Sequence, residues 1–280
     1  MSVTSNELDI SQAQSLVKGI DIPPRPTALQ VVMTERNAEC PDLGKIATTI
    51  SADVSLSAGM LKTINSPLYG MRQKISSVQQ AVTLLGFRTV TNLVTGISLR
   101  LVSDDGGKLH LDRFWDSASD VALLASKISR QLMIGNPEEA YTFGLFHDCG
   151  IPLLMRKYPD YIQVLGEANR SDELFTEVEE RHYPTNHAVV GYYVANSWFI
   201  PKRICNAILN HHSREMFALE DQEESSLIAL IHLAEHIVND CRRLSDDPEW
   251  KRIGLDVLKY LDIDQASYYV MKEDLSCMIK

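Results

Sequence analysis

The stretch Asn136-Pro-Glu-Glu-Ala140-Tyr-Thr-Phe143-Gly144-Leu-Phe-His147-Asp148-Cys149-Gly150 decides how this chain is read. Asn136 is an N-cap residue, Pro137 suits the first helical position, and Glu138 and Glu139 favour the positive end of a helix dipole. Ala140, Phe143, Gly144, His147 and Ile151 then recur at helical spacing, which predicts one helix over 137–156 with His147 on its core face and Asp148 on the flank. A buried ionised carboxylate is costly unless it is paired, hydrogen-bonded or bound to a metal. The dipeptide therefore demands a partner.

Outward from that helix, nearly every segment longer than ten residues keeps a helical period, and no alternating run is bounded by hairpin turns. An all-α fold is expected, in two lobes. A short leading section, 1–20, precedes Ile22-Pro-Pro-Arg-Pro26, where each proline fixes its own φ and turns its predecessor away from helix. The first lobe spans 21–102. Asp42, Asp53 and Ser77 are its expected caps, and Gly86 its expected helix stop. Ser103-Asp-Asp-Gly-Gly107 reads as a linker, with a hinge at Gly106-Gly107. The second lobe, 108–217, carries helices near 112–132, 137–156, 159–169, 174–182, 185–198 and 201–211. A helical extension, 218–280, opens on the polar run Leu219-Glu-Asp-Gln-Glu-Glu224 and includes 227–238.

With 280 residues, 45% of them hydrophobic, the chain has material for a sizeable core. A net charge of −10 opposes a surface devoted to a polyanion, and Lys202-Arg203 and Arg242-Arg243 are isolated pairs read as solvated surface. Five cysteines lack any C-x-x-C spacing, so neither a zinc knuckle nor a disulfide framework is indicated; Cys149 reads as a small buried hydrophobe. No signal-peptide pattern opens the sequence and no apolar stretch nears the roughly 18 residues of a membrane span, so a cytoplasmic, non-membrane protein is expected. Tyr268-Tyr-Val-Met271 reads as core.

Further histidines occupy apolar stripes. His187 leads Val190, Gly191, Val194 and Trp198; His211 lies on the line of Ile204, Ala207 and Ile208, with His212 after it; and Glu235 sits among Ile228, Ile231 and Val238, on a segment that also carries His232 and His236. Imidazoles and carboxylates drawn from several helices build sites for zinc, manganese or iron, where a bound ion supports hydrolysis. The competing reading is structural: Asp148 accepts from a neighbouring imidazole, and His211 and His212 satisfy the carboxyl end of their helix. No compact H-E-x-x-H spacing separates the two.

In order along 15–215, Ile22-Pro-Pro-Arg-Pro, Ala52-Asp-Val-Ser-Leu-Ser, Ile64-Asn-Ser-Pro-Leu-Tyr-Gly, Ala81-Val-Thr-Leu-Leu-Gly-Phe, Phe114-Trp115, Gly144-Leu-Phe-His147-Asp148-Cys-Gly150, His187-Ala-Val-Val-Gly191 and His211-His212 resemble the motifs of the HDOD family, a branch of the HD phosphohydrolase superfamily. The resemblance implies a bacterial two-lobed signalling module, many relatives of which have lost hydrolysis. It places metal ligands at His147, Asp148, His187, His211 and His212. Three positions depart from the active pattern. Ser117 stands where a first histidine is expected, Ile151 replaces a lysine after the H-D-x-G unit, and Glu235 replaces a late aspartate.

The expectation is a non-catalytic signal-transduction module with a degenerate site that holds one divalent ion (Mn, Fe or Zn) weakly or none. Its partner is a signalling protein or a small phosphate-containing ligand. The alternative is a metal-dependent phosphohydrolase acting on a nucleotide, cyclic dinucleotide or other phosphate ester, with a metal-bound water and Asp148 at the chemistry. Nucleic-acid binding through the Leu84-Leu-Gly-Phe87 turn is disfavoured by its apolar neighbours and by the net charge.

Overall fold

The computed structural model describes residues 16–36, 38–66, 69–103, 111–243 and 247–279. These residues form helices and no strand. Most of the leading section 1–20, and the expected linker and hinge beyond Ser103, lie outside the described residues.

The first lobe packs α1 (Thr27–Arg36), α2 (Leu43–Ala52) and α3 (Val54–Ile64) around α4 (Val78–Ser103). The expected caps are in place: Asp42 accepts from the Lys45 amide at 3.0 Å, Asp53 from Leu56 at 2.9 Å and Ser77 from Gln80 at 3.2 Å. Each such cap contributes about 1 kcal/mol. Gly86 ends the first half of α4 with φ 71° and ψ 173°, a conformation side chains other than glycine rarely adopt, and the chain resumes as helix at a bend. By length and composition α4 is apolar enough to cross a bilayer, but half of its apolar window is buried inside the fold.

The second lobe contains α5 (Asp112–Leu132), α6 (Pro137–Phe146), α7 (Gly150–Lys157), α8 (Tyr161–Ala168), α9 (Phe175–His182), α10 (His187–Ser197) and α11 (Lys202–Asn210). After it come α12 (Gln222–Arg243), α13 (Pro248–Tyr260) and α14 (Gln265–Ile279). Ile228 to Ile231, Leu233, Ala234, Ile237 and Val238 are buried around the whole circumference of α12, which makes it a central shaft against α5, α6, α11, α13 and α14. α12 starts earlier than the 227–238 period indicates. Asp221, within the polar run, accepts from the Glu223 amide at 3.0 Å and so caps it. Tyr268 and Met271 join the core, while Tyr269 and Val270 between them stay exposed.

Residues 20–26, which include three prolines, take up no helix and strap the second lobe before entering the first. The indole of Trp198, at the end of α10, donates to Pro23 O at 3.0 Å, and Arg156, near the end of α7, donates to Asp21 O at 3.0 Å. A direct lobe contact joins α4 to α6, where a Cβ added at Gly96 would lie 2.9 Å from Leu145 Cδ1.

The expected helix over 137–156 is broken. α6 ends at Phe146, His147 to Cys149 form a turn, and α7 starts at Gly150. Pro152 is the cause. In a continuous helix its ring would clash with the carbonyl of Asp148, and it has no N–H to offer. Instead the Ile151 amide donates to Asp148 O at 2.9 Å, and Pro152 falls in the first turn of α7, where no donor is needed.

Candidate metal centre

His147 and Asp148 occupy the turn that Pro152 enforces, at the junction of α6 and α7. His187 opens α10 behind its Asn186 cap, which accepts from Val189 N at 2.9 Å. His211 and His212 close α11. Two close approaches draw these ends together: Gly144 lies against the Ala122 backbone of α5, and Gly150 against the backbone of His187 and Gly191.

The imidazoles share one arrangement. Nδ1 of His147 faces Gly144 O at 2.9 Å, and Nδ1 of His211 faces Ile208 O at 2.6 Å, each a carbonyl three residues back. His187 begins its helix and has no such carbonyl behind it; its Nδ1 meets Glu179 Oε2 at 2.6 Å. Nδ1 of His212 meets Glu249 Oε1 at 2.7 Å. A carbonyl or carboxylate only accepts, so Nδ1 carries a hydrogen in all four rings, and wherever the ring is neutral Nε2 keeps its lone pair. His232 donates from Nε2 to His211 O at 2.7 Å and fixes that backbone.

The Nε2 atoms of His147, His187 and His211 converge on Asp148. Nε2 of His187 lies 3.4 Å from Asp148 Oδ1 and 3.4 Å from Nε2 of His211, which is itself 3.6 Å from the same oxygen. Nε2 of His147 lies 3.5 Å from Asp148 Oδ2. Lone pairs facing one another without a donor repel, so the triangle needs a proton or a cation at its centre. Donors at about 2.1 Å from one tetrahedral ion stand roughly 3.4 Å apart, which fits these separations. Asp148, His187, His211 and His212 each offer a ligand atom within 4.8 Å of the others'. The donor set thus fits a single nitrogen- and oxygen-ligated divalent ion.

Charge reinforces the arrangement. Burial would raise the Asp148 carboxyl, but the surrounding imidazoles of His147, His211 and His187 hold it well below the usual carboxylate range. Burial would lower His187, yet the Glu179 carboxylate and then Asp148 push it up to about 8. His211 falls well below the ordinary imidazole value, through burial and the neighbouring His212 ring. Burial would raise Glu249, and the imidazole of His212 carries it far down. Cys149 is buried and its thiol pushed up, which makes it packing and not a nucleophile.

All five residues read as ligands, His147, Asp148, His187, His211 and His212, surround this point. Glu235 joins them from α12, within 4.8 Å of His147 and Asp148. Two cavities reach the cluster, sharing Asp148, Glu235 and Asn239. One, of about 680 Å³, is walled by Phe175, His187, His212, Glu249 and Trp250. The other, of about 570 Å³, is walled by Arg113, Phe114, Ser117, His147 and Arg242. The carboxylates Glu179 and Glu249 escaped the sequence reading. Glu179 lies in an acidic run that hides its burial, and Glu249 reads as an ordinary acid in the first turn of a helix.

Three comparisons bear on this architecture. The profile of the HDOD domain matches residues 22–214. A Treponema pallidum (strain Nichols) protein, uncharacterized, is 26% identical over 249 residues, which is 87% of this chain and 46% of that one. The chain spans less than half the length of the curated relatives it matches. Among crystal structures, a Shewanella amazonensis SB2B protein provisionally named a phosphohydrolase superposes with a TM-score of 0.70 at 21% identity, over 96% of this chain and 93% of that one. An HDOD domain protein of unknown function from Geobacter sulfurreducens superposes with a TM-score of 0.68 at 23% identity, over 96% and 97%. At these identities the two structures establish the fold.

Proposed function

The chain belongs to the HDOD domain family, and on that premise we propose that it is a cytoplasmic signal-transduction module that holds one divalent ion without hydrolysing phosphate esters. Asp148, His187, His211 and His212 would hold the ion. Bound there, it supplies a positive charge able to attract a phosphate oxygen. Glu179 and Glu249 orient two of its imidazoles, and the flanking cavities admit a small phosphate-containing ligand or the side chain of a signalling partner. Nucleic acid is disfavoured by the net charge of −10.

One observation carries this reading: Ser117 lines the same cavity wall as His147, Asp148 and Glu235. A hydroxyl there is a poor ligand where the superfamily resemblance calls for an imidazole, so a second ion lacks part of its shell. Hydrolysis suffers more than binding from such a loss, since both geometry and an open position must survive. Glu235 favours the second reading, a metal-dependent phosphohydrolase, because its carboxylate comes within 4.8 Å of His147 and Asp148.

Elemental mass spectrometry on purified protein, before and after reloading with Mn, Fe or Zn, decides between the two when paired with hydrolysis of a phosphodiester and a cyclic dinucleotide. The proposal expects about one ion per chain, lost in Asp148→Asn, and turnover equal to that of His147→Ala. Turnover above that control establishes the phosphohydrolase. Absence of any ion after reloading removes the metal from both readings.

A further inference from the structure

Glu249 stands on α13, beyond the residues that the HDOD profile matches. Its contact with His212 belongs to a closed circuit. Arg252, one turn further along α13, places Nη2 3.4 Å from Glu249 Oε1. Its Nη1 donates to the carbonyl oxygens of Glu173 at 2.8 Å and Asp172 at 3.3 Å. Just past them Phe175 stacks on the His212 ring, with centroids 5.6 Å apart and planes 12° from parallel. The path runs from His212 through Glu249, Arg252, the 172–173 backbone and Phe175 back to His212, and its residues line the 680 Å³ cavity. His212 is therefore gripped on its Nδ1 edge and on one face, which leaves Nε2 as its ligand nitrogen.

We infer that Glu249 is a positioning residue: it fixes His212 in the tautomer that presents Nε2 to the ion, and thereby makes ion binding and the docking of α13 against residues 172–175 a single linked equilibrium. This rests on the reading above, in which an ion binds among Asp148, His187, His211 and His212. A carboxylate on the far nitrogen of a ligating imidazole sets its tautomer and raises its basicity, and its loss costs about 10–100-fold in metal affinity. Linkage is reciprocal, so whatever α13 lends to the ion the ion returns to α13. Glu179 performs the same service for His187 from within the matched region. The section after residue 214 would thus complete a centre whose other parts lie before it.

The test uses the full chain, with Mn²⁺ and Zn²⁺ as probes. Nitrogen-15 spectra of histidine-labelled, metal-free protein should show His212 as the Nδ1–H tautomer, and Glu249→Ala should abolish that preference. The same variant should weaken ion affinity about 10–100-fold, whereas Glu249→Gln, which keeps an acceptor oxygen, should recover the larger part. Ion addition should slow amide exchange across 248–260 in the wild type and not in Glu249→Ala. If that variant does not fold, Arg252→Ala opens the circuit with Glu249 intact, and the loss of ion-dependent protection at 248–260 gives the same answer. An Nε2–H tautomer of His212 in the wild type overturns the inference. So does a wild type that binds the ion with α13 exchange unmoved and affinity indifferent to Glu249; the proposed function would survive that result. A wild type that binds no ion overturns both.

Discussion

Glu179 and His187 are both closed off from solvent, and they meet at 2.6 Å between Oε2 and Nδ1. The carboxylate is fully employed: it also accepts from the Tyr161 hydroxyl and from the His187 amide at 3.2 Å. A buried pair satisfied this well is costly to break from one side, because the remaining group keeps its desolvation penalty without its partner. Glu179→Ala is expected to lose about 3–5 kcal/mol in urea unfolding of the metal-free protein. Glu179→Gln retains acceptor capacity and should lose less. A loss below about 1 kcal/mol in the alanine variant would show that the pair is not a structural anchor.

The same pair sets a pH dependence. Burial alone would lower His187, but Glu179 and Asp148 outweigh it and push the imidazole up to about 8 in the metal-free protein. A histidine raised in the folded state contributes stability that is complete below its ordinary value of about 6.5 and is lost as pH climbs through 8. Metal-free protein should therefore be less stable at pH 9 than at pH 6.5, by about 2 kcal/mol at most. Asp148 and Glu249 are shifted downward, so their contributions fade only in acid, outside this window. Urea titrations in chelator at the two pH values measure the difference. Stability that rises with pH would contradict it, and Glu179→Gln should flatten it.

What the sequence made legible is what depends on neighbours in the chain. Asp42, Asp53, Ser77 and Asn136 cap the helices they precede because the contact spans two or three residues. Gly86 stops a helix for a reason internal to its own backbone. That His147, Asp148, His187, His211 and His212 face inward was legible through resemblance and through stripe position together, and the structure brings them to one place. Pro152 was the signal left unused: it forbids a helix through Asp148, and without that break His147 and Asp148 would not share a turn. Glu179 and Glu249 were beyond reach because their partners stand on other helices: His187 is only 8 residues from Glu179, but across the bend between α9 and α10, which no helical period records. Glu249 lies 37 residues from His212, and no local period distinguishes it from a solvated acid in the first turn of a helix.

Ser117 offers a gain-of-function experiment. It borders the 570 Å³ cavity with His147, Asp148 and Glu235, and that volume has room for an imidazole in place of a hydroxymethyl group. Ser117→His should raise the ion content after reloading from about one toward two per chain, and it should raise phosphodiester turnover above the wild type. Elemental mass spectrometry and a chromogenic diester assay read both. An ion content that stays at one would mean that the missing ligand is not what limits the second site.

Gly150 tests how tightly the centre depends on the packing of α7 against α10. A Cβ there would lie 2.1 Å from His187 O, 2.9 Å from His187 C and 3.0 Å from Gly191 N. All three are backbone atoms of α10, so no side chain can swing away and the helices themselves must separate. Asp148 stands two residues before Gly150, and His187 is the residue struck, so the same movement pulls two of the proposed ligands apart. Gly150→Ala should cost at least about 3 kcal/mol, the upper end of ordinary overpacking, and it should weaken ion binding even where the protein remains folded. Gly166→Ala is the matched control. It lies inside α8, and its added Cβ meets only Arg170 Nη2 at 3.5 Å, an ordinary contact. The gain in helix propensity should there stabilise by about 0.4–1 kcal/mol and leave the ion untouched. Thermal unfolding with and without Mn²⁺ separates the two variants. Equal behaviour would mean that α7 can slide on α10 without disturbing the ligands, and that the close approach at Gly150 does not hold the centre together.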